Sequence, residues 1–343
     1  MKTPAILEPR AAVTLDDYVV DCAWSADGTQ LAVAGGEGQL FLARFGGDVL
    51  EARKLGDHGL GTLAVAWQPR GAVFASSGQD SAVALWEGGS GREIRRWRPG
   101  REWTSHLAFS PDGQLLAGAT GRQVTLWSPD GETVQAFAPY AATVAALAWD
   151  TSGRDLGAAI NGGVMVHRIE PPAFGTRQYK WPAGAVSVCF SPSGRVLGSG
   201  MQDGSLHFWY LATGKDSQMR GYPGKVDLTA WSSDSRYLAS NAGNELVLWD
   251  FSGKGPEGSK PIQLSGHTDR IECLAFQPGG GYLVSGGRDW RLNLWWPQKF
   301  KQAVDAHLTD SEPTCLRWSP DGRFLAVGER KGRLAVFELV RLP

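Results

Sequence analysis

Hydrophobic and polar positions alternate in short runs along this chain, and one such run recurs eight times. Ile271-Glu272-Cys273-Leu274-Ala275-Phe276 shows its form: alternation ending on an aromatic, followed at once by Gln277-Pro278-Gly279-Gly280. A period of two predicts a strand with one face turned inward, and the Pro, Asp and Gly that follow these runs supply the fixed and positive φ of a tight turn. Next come a small apolar run (Leu283-Val284-Ser285-Gly286), a second turn, and a run ending in an aromatic (Leu292-Asn293-Leu294-Trp295). A weaker, more polar strand closes each unit, as in Gly91 to Arg98. No stretch carries a convincing helical period. The eight aromatic anchors are Trp24, Trp67, Phe109, Trp149, Phe190, Trp231, Phe276 and Trp318, separated by 43, 42, 40, 41, 41, 45 and 42 residues.

A repeat of about 40–45 residues built from four strands is the blade of a β-propeller. The pattern therefore predicts an all-β chain, residues 1–343, forming one closed β-propeller of eight four-stranded blades. Seven blades, with one unit irregular or outside the ring, is the alternative. The apolar-rich stretch Ala5 to Leu15 precedes the first anchor, and Arg333 to Leu339 reads as the third strand of the last unit. The N-terminal stretch is expected to supply the outer strand of that last blade, which removes an exposed sheet edge.

Two units carry a sharper signature. One has His58, Ser76, Asp80 and Trp86; the other has His267, Ser285, Asp289 and Trp295, with identical internal spacings of 18, 4 and 6. In these residues the chain resembles the WD-repeat family, and the resemblance covers nearly all of it. It implies that each tetrad is hydrogen-bonded, satisfying buried polar groups and fixing the loop before the first strand. The other units depart from the signature. The fifth keeps Ser199, Asp203 and Trp209 but has Trp181 at the His place, the fourth has Asn161 and His167 at the Asp and Trp places, and the third and sixth keep Trp127 and Trp249 without the Asp.

Composition narrows the function. The formal net charge is -1, so no global field attracts nucleic acid or a membrane surface. The N-terminal residues show no apolar run of a secretion signal, and no run of 18 apolar residues predicts a spanning helix. Four widely spaced Cys without a CxxC pair suit a reducing, cytoplasmic setting. There is no GxSxG, P-loop, HExxH or EF-hand loop. His-Ser-Asp sets repeated at one blade position beside a Trp read as structure rather than as catalytic triads. Cys273 and Cys315 stand at equivalent places, three residues before their anchors; a metal site would want them facing one another near His307, and they read instead as small apolar residues on inner strands. No catalytic residue, metal or cofactor is expected.

The expected activity is that of a non-enzymatic scaffold, a monomer that binds proteins through the face bearing the loop before each inner strand and the turn between second and third strands. Repeat alignment puts Tyr18, Trp103, Lys225, Asp227, Arg270, Glu272, Arg288, Trp290, Glu312 and Arg330 there, together with Gln79 and Gln202. Arg and Trp at such places are the types that anchor interfaces. The alternative is a small-ligand or metal-binding propeller, enzymatic or not, using the central channel, with Asp227, Glu272 and Thr314 along it. The basic cluster Arg95-Arg96-Trp97-Arg98-Pro99-Gly100-Arg101 reads as a solvated outer strand rather than a nucleic-acid site. The Gly- and Pro-rich stretch Phe251 to Pro261 reads as an insertion on the opposite face. The tract from Gly200 to Pro261 is similar to bacterial WD-repeat proteins associated with metallochaperone GTPases of the CobW type, which would imply such a partner.

Overall fold

The second strand of each unit is apolar on both sides, so each sheet must be covered on both faces by its neighbours. A computed structural model, describing residues 4–170 and 173–341, shows how this is met. Residues 1–3, the start of the N-terminal stretch read above, lie outside the described residues. Among the described residues every regular element is a strand. The strands form eight antiparallel sheets, covering 19–57, 62–97, 104–136, 146–184, 189–219, 229–265 and 271–308, with the eighth built from 313–341 and 5–14. We number these as blades one to eight. All eight aromatic anchors are the last residue of an inner strand.

Blade four looks three-stranded only because its middle strand, Asp155–Glu170, runs without a break through a hairpin. Drawn straight, thirteen residues would separate Asp155 from Arg168 by about 40 Å. Instead the Arg168 guanidinium lies 2.9 Å from the Asp155 carboxylate, and the Ile169 N–H donates to the Arg154 carbonyl. The chain reverses at Asn161-Gly162-Gly163, where both glycines have positive φ. A Cβ on Gly163 would lie 2.1 Å from the Tyr179 carbonyl, so this hairpin requires glycine there.

Each pair of adjacent blades encloses its own apolar layer, and there are eight such layers. An open stack of eight sheets would have seven. The eighth lies between blades eight and one, where Val19, Cys22 and Trp24 pack against Cys315, Ala326 and Leu334. Burial of this kind, roughly 25 cal/mol per Å² of apolar surface, is what holds neighbouring repeats together. The ring is closed as the sequence predicts, with eight blades. Ala5–Thr14 pairs antiparallel with Arg333–Arg341, from Ala5 opposite Arg341 to Thr14 opposite Arg333, with a bulge between Pro9 and Ala11. Pro9 lacks an N–H and is tolerated on this outermost strand. Two N–H groups on the strand's outer side are satisfied by blade seven: Leu7 donates to Asp305 Oδ2 at 2.7 Å and Ala5 to the Tyr282 hydroxyl at 3.0 Å.

Candidate partner-binding face

The turns between second and third strands, together with the loops before the inner strands, open on one side of the ring, called here the top. Two tetrads hold this side in blades two and seven. His58 Nδ1 lies 2.9 Å from Asp80 Oδ1, His58 Nε2 lies 2.7 Å from Ser76 Oγ, and Trp86 Nε1 donates to Ser76 Oγ at 2.8 Å. The corresponding distances for His267, Asp289, Ser285 and Trp295 are 2.9, 2.8 and 2.8 Å. The arrangement fixes the donors: indole N–H to Ser oxygen, Ser O–H to Nε2, and Nδ1–H to the carboxylate. Burial lowers both imidazole pKa values, outweighing the carboxylate partners. Burial also opposes the two carboxylates, but the bonds they accept outweigh it and hold Asp80 and Asp289 below the ordinary Asp range. A neutral His anchored by an ionised Asp is a fixed strut rather than a proton relay.

Blades four and six use tyrosine in place of the histidine. In blade six the Trp249 indole donates to the Tyr222 hydroxyl at 2.9 Å, and that hydroxyl lies 2.8 Å from Ser240 Oγ. In blade four the Tyr140 hydroxyl bonds to Nε2 of His167, whose Nδ1 is 2.9 Å from Thr176 Oγ1. Tyr222 stands 18 residues before Ser240, the spacing from His to Ser in the tetrads, so a sequence signal for it existed. In blade five the matching residues do not assemble: Ser199 donates to the Ser187 carbonyl at 2.6 Å, and the Trp181 indole N–H is buried without a partner.

Top-face charges are largely neutralised within the protein. Lys225 Nζ lies 3.0 Å and Arg270 Nη2 2.5 Å from Asp227 Oδ2, while Glu272 Oε1 takes Arg288 Nε at 2.5 Å and Arg270 Nε at 3.6 Å. Arg330 pairs with Glu312 in blade eight. Burial opposes the Asp227 carboxylate, but bonds from Lys225 and Asn241 outweigh it and hold its pKa below the ordinary range. Seven of the twelve predicted face residues therefore form two internal ion-pair groups across blades six to eight. Of the others, Tyr18, Trp103 and Trp290 are aromatic and 42, 49 and 44% exposed. Tyr18 lies flat over Gly36, where a Cβ would fall inside its ring. Trp103 borders a depression of about 360 Å³ with Glu102, Ser105, Gly121 and Thr143.

Trp290 has an unusual backbone. Each turn between second and third strands contains a residue in the left-handed region. It is glycine in six blades: Gly38, Gly121, Gly162, Gly204, Gly243 and Gly332. Blade two has Ser81 there at φ 62°, and blade seven has Trp290 at φ 61°. For a bulky L-residue this conformation costs about 1–2 kcal/mol. The Trp290 ring gains little burial in return, and Lys331 Nζ lies over it, 5.3 Å from the ring centre.

The basic cluster is mostly occupied. Arg95 pairs with Glu132, Arg96 bridges Asp80 at 3.1 Å and Glu93 at 2.8 Å, and Arg98 donates to the Asp80 carbonyl at 3.3 Å. Towards the channel, Arg317 donates to Asp21 at 2.6 Å. Among the described residues no group of three or more His, Cys, Asp or Glu is placed to hold a metal ion, and no helix is long and apolar enough to cross a membrane. The Phe251 to Pro261 stretch lies on the side opposite the top, its Phe251 ring packed edge-on against Trp231 and Phe208.

Comparison with known proteins agrees with this geometry. A family model described as "WD domain, G-beta repeat" matches residues 51–87, 94–128, 176–210, 258–295 and 298–338, more than half of the chain. Each match starts in, or up to seven residues before, the outer strand of one blade and runs through the first three strands of the next. The chain is similar to "Cell division cycle 20.5, cofactor of APC complex" of Arabidopsis thaliana, 26% identical over 72% of this chain and 58% of the relative. It also resembles "B-type cell cycle switch protein ccs52A" of Medicago truncatula, 26% identical over 67% of this chain and 50% of the relative. It thus spans about half the length of the curated relatives it matches. Among solved structures it superposes on the computationally designed Ika8 protein with a TM-score of 0.78, 18% identity, and coverage of 96% of this chain and 99% of that one. With its strands, tetrads and repeat matches in register, the chain belongs to the WD domain, G-beta repeat family.

Proposed function

We propose that this protein is a non-enzymatic scaffold that binds partner proteins through the top face, with Trp290 as an anchor and Trp103 and Tyr18 as further contacts. The observation that carries the reading is Trp290: a large aromatic, 44% exposed, in a backbone conformation that six of the eight blades give to glycine. Strain kept at an exposed aromatic points to use of the ring, because tryptophan in a partner's pocket is a common hot spot. Lys225, Asp227, Arg270, Glu272, Arg288, Glu312 and Arg330 form an ordered polar rim around it, and relatives named as cofactors of a complex fit the same role. A CobW-type GTPase as partner rests on the resemblance of residues 200–261 alone. Four unpaired thiols fit the cytoplasmic setting read from the sequence.

The test is Trp290→Gly. The substitution relieves the left-handed strain, so thermal stability should stay level or rise by up to ~1 kcal/mol. Proteins recovered from native lysate by the wild type should be lost with Trp290→Gly and kept with a bottom-face control, Lys254→Glu. Recovery of the same proteins by Trp290→Gly would refute the reading.

A further inference from the structure

At the junction of blades eight and one, where the two ends of the chain meet, three side-chain hydrogen bonds join the inner strands of the two blades. Trp24 Nε1 donates to the Arg317 carbonyl at 2.8 Å, Thr314 Oγ1 to the Val19 carbonyl at 2.6 Å, and Arg317 to Asp21 at 2.6 Å. Beside these bonds, Cys315 Sγ lies 3.8 Å from Cys22 Sγ, and both side chains are buried. The cross-strand partner of Cys315 is Gly328, where a Cβ would lie 2.4 Å from Val19 and 2.7 Å from Cys315 Sγ. That missing side chain leaves room for blade one to approach and for the sulfur to face it.

We propose that Cys22 and Cys315 are a two-electron redox site whose disulfide latches the ring where its ends meet. The oxidant class is a hydroperoxide, the smallest being hydrogen peroxide. A disulfide needs sulfurs about 2.05 Å apart, so each has to move by less than about 1 Å. Cys315 attacks as thiolate: its sulfur bonds to one peroxide oxygen, the O–O bond breaks, and the released hydroxide takes a proton to become water. The Cys22 sulfur then attacks the resulting sulfenic acid, the S–S bond forms, and the second oxygen leaves as water. The two thiols lose two electrons and two protons, and the peroxide becomes two waters. The surroundings support Cys315 as the nucleophile. Hydrogen bonding from the Cys22 thiol draws Cys315 below the ordinary thiol range against burial, whereas burial pushes Cys189 up to about 11 and raises Cys273 further. Arg317, two residues along the same strand, has a side chain 48% exposed, and peroxide would arrive from that side.

The latch would link residues 22 and 315 covalently, closing a loop that runs from the first inner strand to the last. Opening the ring by peeling Ala5–Thr14 from the last blade would then leave the junction joined. The experiment is peroxide treatment of reduced full-length protein, followed by thiol titration under denaturing conditions and mass spectrometry of a non-reduced digest. The proposal expects the four thiols to fall to two, a single cross-linked pair of peptides containing Cys22 and Cys315, a raised urea midpoint, and reversal by dithiothreitol. Cys273→Ser should leave the cross-link intact, and Cys22→Ser should abolish it. Should Cys22→Ser not fold, the wild-type digest decides alone. Four surviving thiols, sulfinic or sulfonic acid without a cross-link, or pairing through Cys189 or Cys273 would overturn the site. A cross-link without a midpoint shift would overturn the latch.

Discussion

Mild acid should loosen this propeller through its buried histidines, and His167 is the place where the effect can be worked out. Its ring is stacked on Phe137, with centroids 3.7 Å apart, and its nitrogens face the Tyr140 hydroxyl and Thr176 Oγ1. No carboxylate bonds to it to favour a proton, and burial pushes its pKa down to about 4. The unfolded chain titrates near 6.5, so between those values the unfolded state binds the proton and the folded state does not. Stability is therefore complete above about pH 6.5 and is lost as pH falls towards 4. That gap corresponds to roughly 3 kcal/mol, of which roughly 2 kcal/mol has gone by pH 5. Burial lowers His58 and His267 as well, so they steepen the loss in the same direction. Urea unfolding followed by tryptophan fluorescence at pH 7.5, 6, 5 and 4.5 measures it. His167→Phe is less stable at neutral pH because Tyr140 and Thr176 lose a partner, but it removes the titration. Its deficit should shrink by roughly 2 kcal/mol between pH 7.5 and pH 5. Parallel stability curves for wild type and variant would refute the reasoning.

Other perturbations separate the bonds from the packing. Ser285→Ala leaves the Trp295 indole N–H and His267 Nε2 buried without partners and should cost about 2–5 kcal/mol, whereas Ser199→Ala, which loses one bond to a backbone carbonyl, should cost about 1 kcal/mol in the same unfolding assay. The Trp24 indole donates to the Arg317 carbonyl, while that of Trp231 is buried without a partner. Trp24→Phe should therefore destabilise by about 1–3 kcal/mol more than Trp231→Phe, although both remove a similar volume. Equal costs would show that the indole bond across the junction contributes nothing.

The fold was legible because it is written locally and repeated. Eight anchors each end an inner strand, the Pro, Asp and Gly turns follow them, and Ala5–Thr14 takes the outer place in the last blade. The tetrads were legible for the same reason, since one blade contains all four residues. What escaped depends on which residues meet across blades. Trp24, Trp149 and Trp318 each donate to the carbonyl just before the anchor of the preceding blade, at 2.8, 3.0 and 3.3 Å, and no single repeat displays that pairing. Nor does sequence alignment show that Arg270 and Arg288 face Asp227 and Glu272 rather than solvent, or that Cys22 approaches Cys315. Trp290 is intermediate. Its place among the turn glycines can be read by aligning the blades, but its φ needed coordinates.

Amide hydrogen exchange along Ala5–Thr14 tests the closed eight-bladed ring most directly. If this segment is the outer strand of the last blade, its bonded amides should exchange slowly and together with those of Arg333–Arg341, and disrupting one strand should release both. Exchange of residues 5–14 at the rate of a free peptide, with 333–341 still protected, would contradict the shared blade and the ring built on it.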